Sequence, residues 1–328
     1  MRAARCTEYG PPSGIRVVDL DDPEPGPGEV LVRVHAAAVN YPDVLIAANR
    51  YQISAPLPFT PGSEFAGVVA ARGEGVSEPA VGAAVSGTAL TGAFAEYVVV
   101  PASALRPVPD GLDMVHAAAF HVTYSTAYHS LITVGDAQPG EWVAVLGAAG
   151  GVGSAAVDVA TRLGMRVVAA ASSPDRLAVA RQLGAEAGVD YVREDLKSRI
   201  RELSGGEGVD LVLDPVGGDV AEPALRALRW GGRFVVIGFA AGVIPRVPLN
   251  LVLLRNLTIR GFEARSVRRY TPDAVQRATT ALARLVGEGM RPLVTRVYPL
   301  SEVAAALSAV AARRTVGKVV IDMGPERQ

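Results

Sequence analysis

The chain has 328 residues, 49% of them hydrophobic, and a formal net charge of −1, a size and composition that suit a two-domain globular protein with sizeable cores. With no basic block, its charge argues against nucleic acid and anionic membrane surfaces as partners. One cysteine, Cys6, leaves no internal disulfide and no cysteine-rich zinc cage. Glu8 and the Gly10-Pro11-Pro12 turn interrupt any N-terminal signal pattern, and the least polar stretch, Trp142 to Ala160, is broken by glycines and Asp158. A cytoplasmic, soluble protein is therefore expected.

Residues 1–117 read as β-rich. Short apolar runs at Val30–Val34, Ala66–Ala70 and Tyr97–Val100 alternate with turn-rich stretches such as 21–29, the pattern of an irregular, Greek-key-like domain. From Asp113 to Leu131 the spacing turns helical, and Asp136–Gly140 turns into the next strand. That strand, Trp142–Leu146, opens the most informative stretch: a glycine-dense turn at Gly147–Gly153, a helix over Ser154–Leu163 and a second apolar strand, Met165–Ala171.

Strand, tight glycine turn, helix and strand are the context that a dinucleotide-binding fingerprint requires. Glycine lets the backbone approach a pyrophosphate, and the helix N-terminus offers its N–H groups to that charge. Two registers fit. In one, Ala148, Gly150 and Gly153 take the three fingerprint places, with alanine at the first. In the other, Gly151, Gly153 and Ala156 take them. The first is preferred because it puts Gly150 and Gly151 on the turn.

Further on, helical and strand-like segments alternate: 173–183, 189–191, 196–203, 209–214, 221–228, 233–237 and 257–262. Such alternation predicts a doubly wound parallel sheet. Thr271, Pro272 and Asp273 read as N-cap, N1 and first turn of another helix that Gly287 can end. The tail reads strand (293–298), helix (301–312) and strand (317–321), and is expected to rejoin the N-terminal domain. The boundaries drawn are 1–117, 118–265 and a return segment, 266–328.

Several segments resemble the zinc-free quinone oxidoreductase branch of the medium-chain dehydrogenase/reductases. They are GEVLVRVHAAAVNYPD (28–43), PGSEFAGVV (61–69), GAFAEYVVVP (92–101), STAYHSL (125–131), GAAGGVG (147–153), VDLVLDPVGG (209–218), GGRFVVIG (231–238) and GKVVI (317–321). The resemblance covers essentially the whole chain. It implies an α/β protein, a Rossmann-type parallel sheet with a discontinuous GroES-like catalytic domain. Asn40 and Ser63 stand where the zinc alcohol dehydrogenases of the superfamily carry a ligating cysteine and histidine. Glu64 remains, but one carboxylate does not make a zinc site, and His35, His116, His121 and His129 show no ligand spacing. No metal is expected.

NADPH is the expected cofactor. The second strand ends at Ala171 followed by Ser172 and Ser173, so no carboxylate stands there to repel a 2′-phosphate, and Arg176 is placed to bind one. Ser173 also reads as an N-cap, and Arg176 as either a phosphate ligand or a solvated helix charge. By resemblance, Tyr191 and Arg313 lie near that phosphate. Ala149, Gly150, Gly151 and Val152 cradle the pyrophosphate. The resemblance also implies that Thr126 contacts the nicotinamide or its ribose, that Gly217 and Gly238 lie along the cofactor, and that Phe239 lies beside the nicotinamide.

Asn40 and Tyr51 are the candidate catalytic residues, by resemblance beside the nicotinamide and in the acceptor pocket. Asn40 also reads as a loop tie and Tyr51 as half-buried packing. Asp43 reads as a cap or brace, and Asp214 as a cleft residue or the brace of a tight turn. Leu45 and Ala47 replace a tyrosine and an arginine of some relatives, which makes the pocket more apolar. The leading expectation is hydride transfer to a quinone or an α,β-unsaturated carbonyl. An enoyl-thioester reductase, with Arg265, Arg268 and Arg269 as an entry patch, is the alternative. A non-catalytic NADPH-binding protein is the alternative from another class. A homodimer through the Leu257–Phe262 edge strand is expected from its exposed apolar character.

Overall fold

The computed structural model describes residues 1–324. Its strands and helices divide between two units: residues 1–122 joined by the segment from Arg291 onward, and residues 123–290.

The first unit begins with β1 (Arg2–Arg5) and β2 (Arg16–Asp19), an antiparallel pair, followed by the long strand β3 (Glu29–Val39). Helix α1 (Tyr41–Ala47) starts immediately after Asn40, with Pro42 in its first turn, where a missing N–H costs nothing. It ends through Asn49, whose φ of 51° is the left-handed conformation that asparagine tolerates. Then come β4 (Glu64–Arg72), β5 (Ala84–Thr88), β6 (Tyr97–Pro101), β7 (Leu105–Pro107) and α2 (Met114–Ala118).

The second unit carries α3 (His121–Tyr128, its first two residues counted with the first unit), running into a π-helical turn at His129–Val134. It continues with β8 (Trp142–Leu146), α4 (Gly151–Arg162), β9 (Arg166–Ala171), α5 (Pro174–Gln182), β10 (Ala187–Asp190) and α6 (Leu196–Leu203). After these come β11 (Val209–Asp214), α7 (Ala221–Arg226), β12 (Leu228–Val236), α8 (Leu249–Arg255), β13 (Thr258–Gly261), α9 (Ala264–Tyr270) and α10 (Pro272–Gly287). The order β10-β9-β8-β11-β12-β13, parallel throughout, is the doubly wound arrangement expected. Its central strands are buried on both faces, so β8 and β11 read as continuous apolar runs instead of alternating ones.

The tail supplies β14 (Val294–Pro299), α11 (Val303–Ala311) and β15 (Lys318–Asp322). β15 pairs antiparallel with β3 and parallel with β14, within a sheet of order β14-β15-β3-β4-β5-β7, with β6 also on β3. The core of this unit joins Val30, Val32, Phe65 and Phe94 to Leu300, Leu307 and Ile321 from the tail.

Four details differ from expectation. Residues 266–290 group with the second unit: α10 buries Ala274, Ala278, Leu282, Leu285 and Val286 there. Helix α4 begins at Gly151, three residues earlier than read, because Gly150 in extended conformation serves as its N-cap. The hydroxyl of Thr271 does not cap α10. It donates back to the carbonyl of Val267 at the end of α9, 2.7 Å away. Finally, α8 lies between the segments 233–237 and 257–262, where no element was read. No helix among the described residues is long and apolar enough to cross a membrane.

Candidate active site

The glycine turn of the second unit lies at the C-terminal end of β8, where doubly wound sheets take their ligands. The N–H of Gly150 donates to the carbonyl of Gly147 at 2.8 Å, closing the turn. A Cβ on Gly153 would lie 2.1 Å from that same carbonyl oxygen, so only glycine lets the first turn of α4 pack onto the loop. Ala148 is fully buried, and its N–H donates to the Ala170 carbonyl of β9 at 3.1 Å. This geometry favours the register Ala148, Gly150, Gly153. Ala149 is buried, while Gly150, Gly151 and Val152 are partly exposed at the helix start. The four fit a pyrophosphate: slim backbone and the N–H groups of a first helical turn, which lack intrahelical acceptors.

At the end of β9, Ser173 is the N-cap of α5, its hydroxyl oxygen accepting from the Arg176 N–H at 3.4 Å. Ser172 is exposed and Arg176 half-buried. The N–H of Tyr191 donates to the Ala171 carbonyl at 3.1 Å, so the structure brings Tyr191 to Ser172 and its neighbours. Arg313 belongs to the other unit, exposed at the end of α11 with a φ of 55°.

A second loop pair follows β11 and β12. Asp214, fully buried, accepts the N–H groups of Val216 and Gly217 on Oδ1, each at 2.8 Å. Its Oδ2 has no hydrogen-bond partner, and burial pushes the carboxyl above its ordinary range. Asp214 is thus the brace of the turn. Gly217 adopts φ 66°, ψ −151°, and a Cβ there would lie 2.9 Å from the Phe239 ring. The N–H of Gly238 donates weakly to the Asp214 carbonyl, so Gly217, Gly238 and Phe239 are held together. Thr126 is buried in α3. Nearby in sequence, the Tyr124 hydroxyl donates to the buried Asp158 at 2.9 Å, and Arg162 reaches the same carboxylate at 2.6 Å. Burial and the Asp158 charge both push the Tyr124 phenol upward, so it stays neutral.

In the first unit the strand order β15-β3-β4 gathers four polar side chains that are almost wholly buried: Asn40 (5% exposed), Asp43 (1%), Glu64 (0%) and Lys318 (3%). Val39 pairs with Val319 and Ala38 with Glu64, so the registers bring the start of β15, the end of β3 and the start of β4 to one level. Lys318 Nζ donates to Asn40 Oδ1 at 2.5 Å, to the Val39 carbonyl at 3.2 Å and to Glu64 Oε2 at 3.4 Å. Asn40 Nδ2 donates to Glu64 Oε2 at 3.0 Å, and the Val122 N–H donates to Glu64 Oε1 at 2.8 Å. Asp43 Oδ2 accepts the Asn40 backbone N–H at 2.8 Å. Burial pushes the Asp43 carboxyl up to about 6, against the opposing pull of Ser63, the Asn40 N–H and Lys318.

Asn40 therefore ties a loop, with both ends of its amide engaged. Tyr51 is half-buried and packs against the core of this unit. The residues at the zinc position do not fit a zinc ion, because an ammonium of the chain already lies against Asn40 and Glu64. Among the described residues, no three His, Cys, Asp or Glu side chains are arranged to hold a metal. Sequence reasoning missed Lys318. Its signal was a lysine beside the apolar run VVI, with Glu64 beside another, opposite charges in two strands that are otherwise core.

Residues 151–280 match the family model described as zinc-binding dehydrogenase, and residues 26–110 match the alcohol dehydrogenase GroES-like domain. Quinone oxidoreductase-like protein 2 of Rattus norvegicus is 38% identical over 98% of this chain and 92% of its own length. The quinone oxidoreductase of Thermus thermophilus, whose structures include a complex with NADPH, superposes with a TM-score of 0.85. It is 37% identical, with 98% of this chain and 100% of that one covered. A mycocerosic acid synthase-like polyketide synthase of Mycobacterium tuberculosis is 34% identical over 93% of this chain, but the match spans 14% of that protein.

Proposed function

Since the chain belongs to the quinone oxidoreductase branch of the medium-chain dehydrogenase/reductase superfamily, we propose that it is an NADPH-dependent reductase of quinones or α,β-unsaturated carbonyls, working without metal. The observation that carries this reading is the turn at Gly147–Gly153, with a close approach that only Gly153 permits and a helix N-terminus behind it. Ser172, Ser173, Arg176 and Tyr191 are the residues for the 2′-phosphate. Gly217, Gly238, Phe239 and Thr126 serve the nicotinamide end.

When bound, NADPH supplies the hydride. The protein must hold the acceptor in line and stabilise the negative charge that hydride addition leaves on its conjugated oxygen. A hydrogen-bond donor suffices for that, and a proton then completes the reduction. Tyr51 has the chemistry of such a donor. Asn40, whose amide is already committed, acts by fixing the backbone at the start of α1. Leu45, half-buried, favours an apolar acceptor, whereas Ala47 is taken up in the core of the first unit.

The identity to part of a polyketide synthase supports one second reading, reduction of an enoyl thioester. Of the arginines proposed for its entry patch, Arg265 is paired with Glu263 at 3.1 Å, while Arg268 and Arg269 are exposed. Fluorescence titration with NADPH and NADH, followed by p-benzoquinone and then a crotonyl thioester, separates the readings. Rapid oxidation of bound NADPH by the quinone alone is expected. Oxidation by the thioester alone selects the second reading, and binding without oxidation selects a non-catalytic protein.

A homodimer through β13 belongs to the same proposal. β13 is the sheet edge, all of its residues are exposed, and Ile259 projects from it at 39% exposure. Such an edge invites pairing across a two-fold axis. A monomer mass from light scattering at micromolar concentration would remove it.

A further inference from the structure

We infer that the Lys318 ammonium is a built-in cation at the zinc position of the fold, a positioning residue that holds the Asn40 amide and the Glu64 carboxylate in one arrangement. The inference rests on the reading that Asn40 shapes the reductase site.

Three observations converge on it. Lys318 is 3% exposed, and its Nζ has oxygen partners from two strands: Val39 and Asn40 from the adjacent β3 and its end, and Glu64 from β4, one strand further on. A buried ammonium has three protons to place, and here each has an acceptor. Second, the orientation of Asn40 is determined by this contact. Oδ1 must face the donor Lys318, and Nδ2 must face the acceptor Glu64, so the amide has one orientation instead of two. Third, Asn40 and Ser63 replace the ligands that the zinc-dependent relatives use, yet Glu64 is retained at full burial. A buried carboxylate needs a counter-charge, and Lys318 supplies it from the far end of the chain.

The alignment matters because Asn40 also gives its backbone N–H to Asp43 in the first turn of α1. Loss of the ammonium would leave Glu64 without its counter-charge and free the Asn40 amide to rotate. The segment from α1 to Tyr51 starts from that point.

The test uses the full-length protein and three variants, Lys318→Ala, Lys318→Met and Glu64→Gln with Lys318→Met. Turnover of NADPH with p-benzoquinone, NADPH affinity and melting temperature are read for each. For Lys318→Ala, kcat is expected to fall about 10- to 100-fold, the scale of a small misplacement, with NADPH affinity unchanged. Propylammonium ion should restore part of that loss, whereas n-propanol, of the same size without charge, should not. The melting temperature lost in Lys318→Met should return in the double variant, while kcat stays low. If Lys318→Ala does not fold, Lys318→Met and the double variant carry the same comparison. Wild-type turnover in Lys318→Met, equal rescue by propanol, or parallel loss of NADPH affinity would each overturn the inference. Should the wild-type protein oxidise no NADPH, the functional proposal fails alone. Stabilisation of Lys318→Ala by propylammonium but not by propanol still supports the role of Lys318, and its absence overturns it.

Discussion

Lys318 Nζ lies 2.5 Å from Asn40 Oδ1 although 278 residues separate them in the chain. The contact closes the first unit around its discontinuity: β15, from the tail, sits between β14 and β3 and brings its one cation to the end of β3. Because that cation already lies against Asn40 Oδ1 and Glu64 Oε2, a zinc ion there would face an ammonium. Activity is therefore expected to survive prolonged dialysis against a chelator, with no stoichiometric metal found by elemental analysis. Loss of turnover on chelation, restored by zinc, would contradict this arrangement.

Asp43 gives the protein a measurable acid limb. Its carboxyl, ordinarily at 3.8, is raised to about 6 mainly by burial, while Ser63, the Asn40 N–H and Lys318 oppose the shift and Glu64 adds to it. Between those two values the folded protein holds a proton that the unfolded chain has released. Stability from this group is thus greatest below about pH 4 and declines as pH rises towards 6, by about 3 kcal/mol at 1.36 kcal/mol per unit. Urea unfolding of wild type and Asp43→Asn across pH 4–7 checks it. The variant should lack that slope, and parallel curves would show that the group is not protonated in the fold.

The parallel sheet was readable because its central strands are buried on both faces and alternate with helices. The apolar runs at 142–146 and 209–214 correspond to β8 and β11 with no change of boundary. The cap of α5 was readable too, since Ser173 and Pro174 act locally. Local logic failed at Thr271, where α9 ends so close by that the hydroxyl finds the Val267 carbonyl instead of the N–H groups ahead. It also could not show the Asn40–Glu64–Lys318 cluster, because that depends on β15 returning to β3. Asn40 and Glu64 stood out singly, but nothing local tied either of them to Lys318. The missed start of α8 has another cause: Leu249, Leu253 and Leu254 are all exposed, so its apolar residues do not mark a core-facing stripe.

Gly153→Ala and Gly150→Ala should behave differently although both lie in the same turn. The first would put a Cβ 2.1 Å from the Gly147 carbonyl, forcing α4 away from the loop. A cost of about 1–3 kcal/mol in stability is expected from such overpacking, together with loss of NADPH binding. The second would meet the same oxygen at 3.3 Å, a contact that a small shift relieves. It should unfold within about 1 kcal/mol of wild type and, if this turn holds the pyrophosphate, still bind NADPH more weakly. Denaturant melts beside fluorescence titrations separate the two effects, and equal destabilisation would place Gly150 in the packing alone.

Arg176 decides between a phosphate ligand and a solvated helix charge. It stands at the third position of α5, half-buried, with its backbone N–H already turned to the Ser173 hydroxyl. That cap fixes where the side chain leaves the helix, close to exposed Ser172 at the end of β9. If it binds the 2′-phosphate, Arg176→Ala should weaken NADPH by about tenfold, near 1.4 kcal/mol for one charge-assisted contact, and leave NADH unaffected. Ser172→Glu should go further, because a carboxylate at that strand end repels the phosphate and accepts from ribose hydroxyls, moving preference towards NADH. Unchanged NADPH affinity in Arg176→Ala would assign the arginine to the helix surface and leave the hydroxyls of Ser172, Ser173 and Tyr191 to account for any preference.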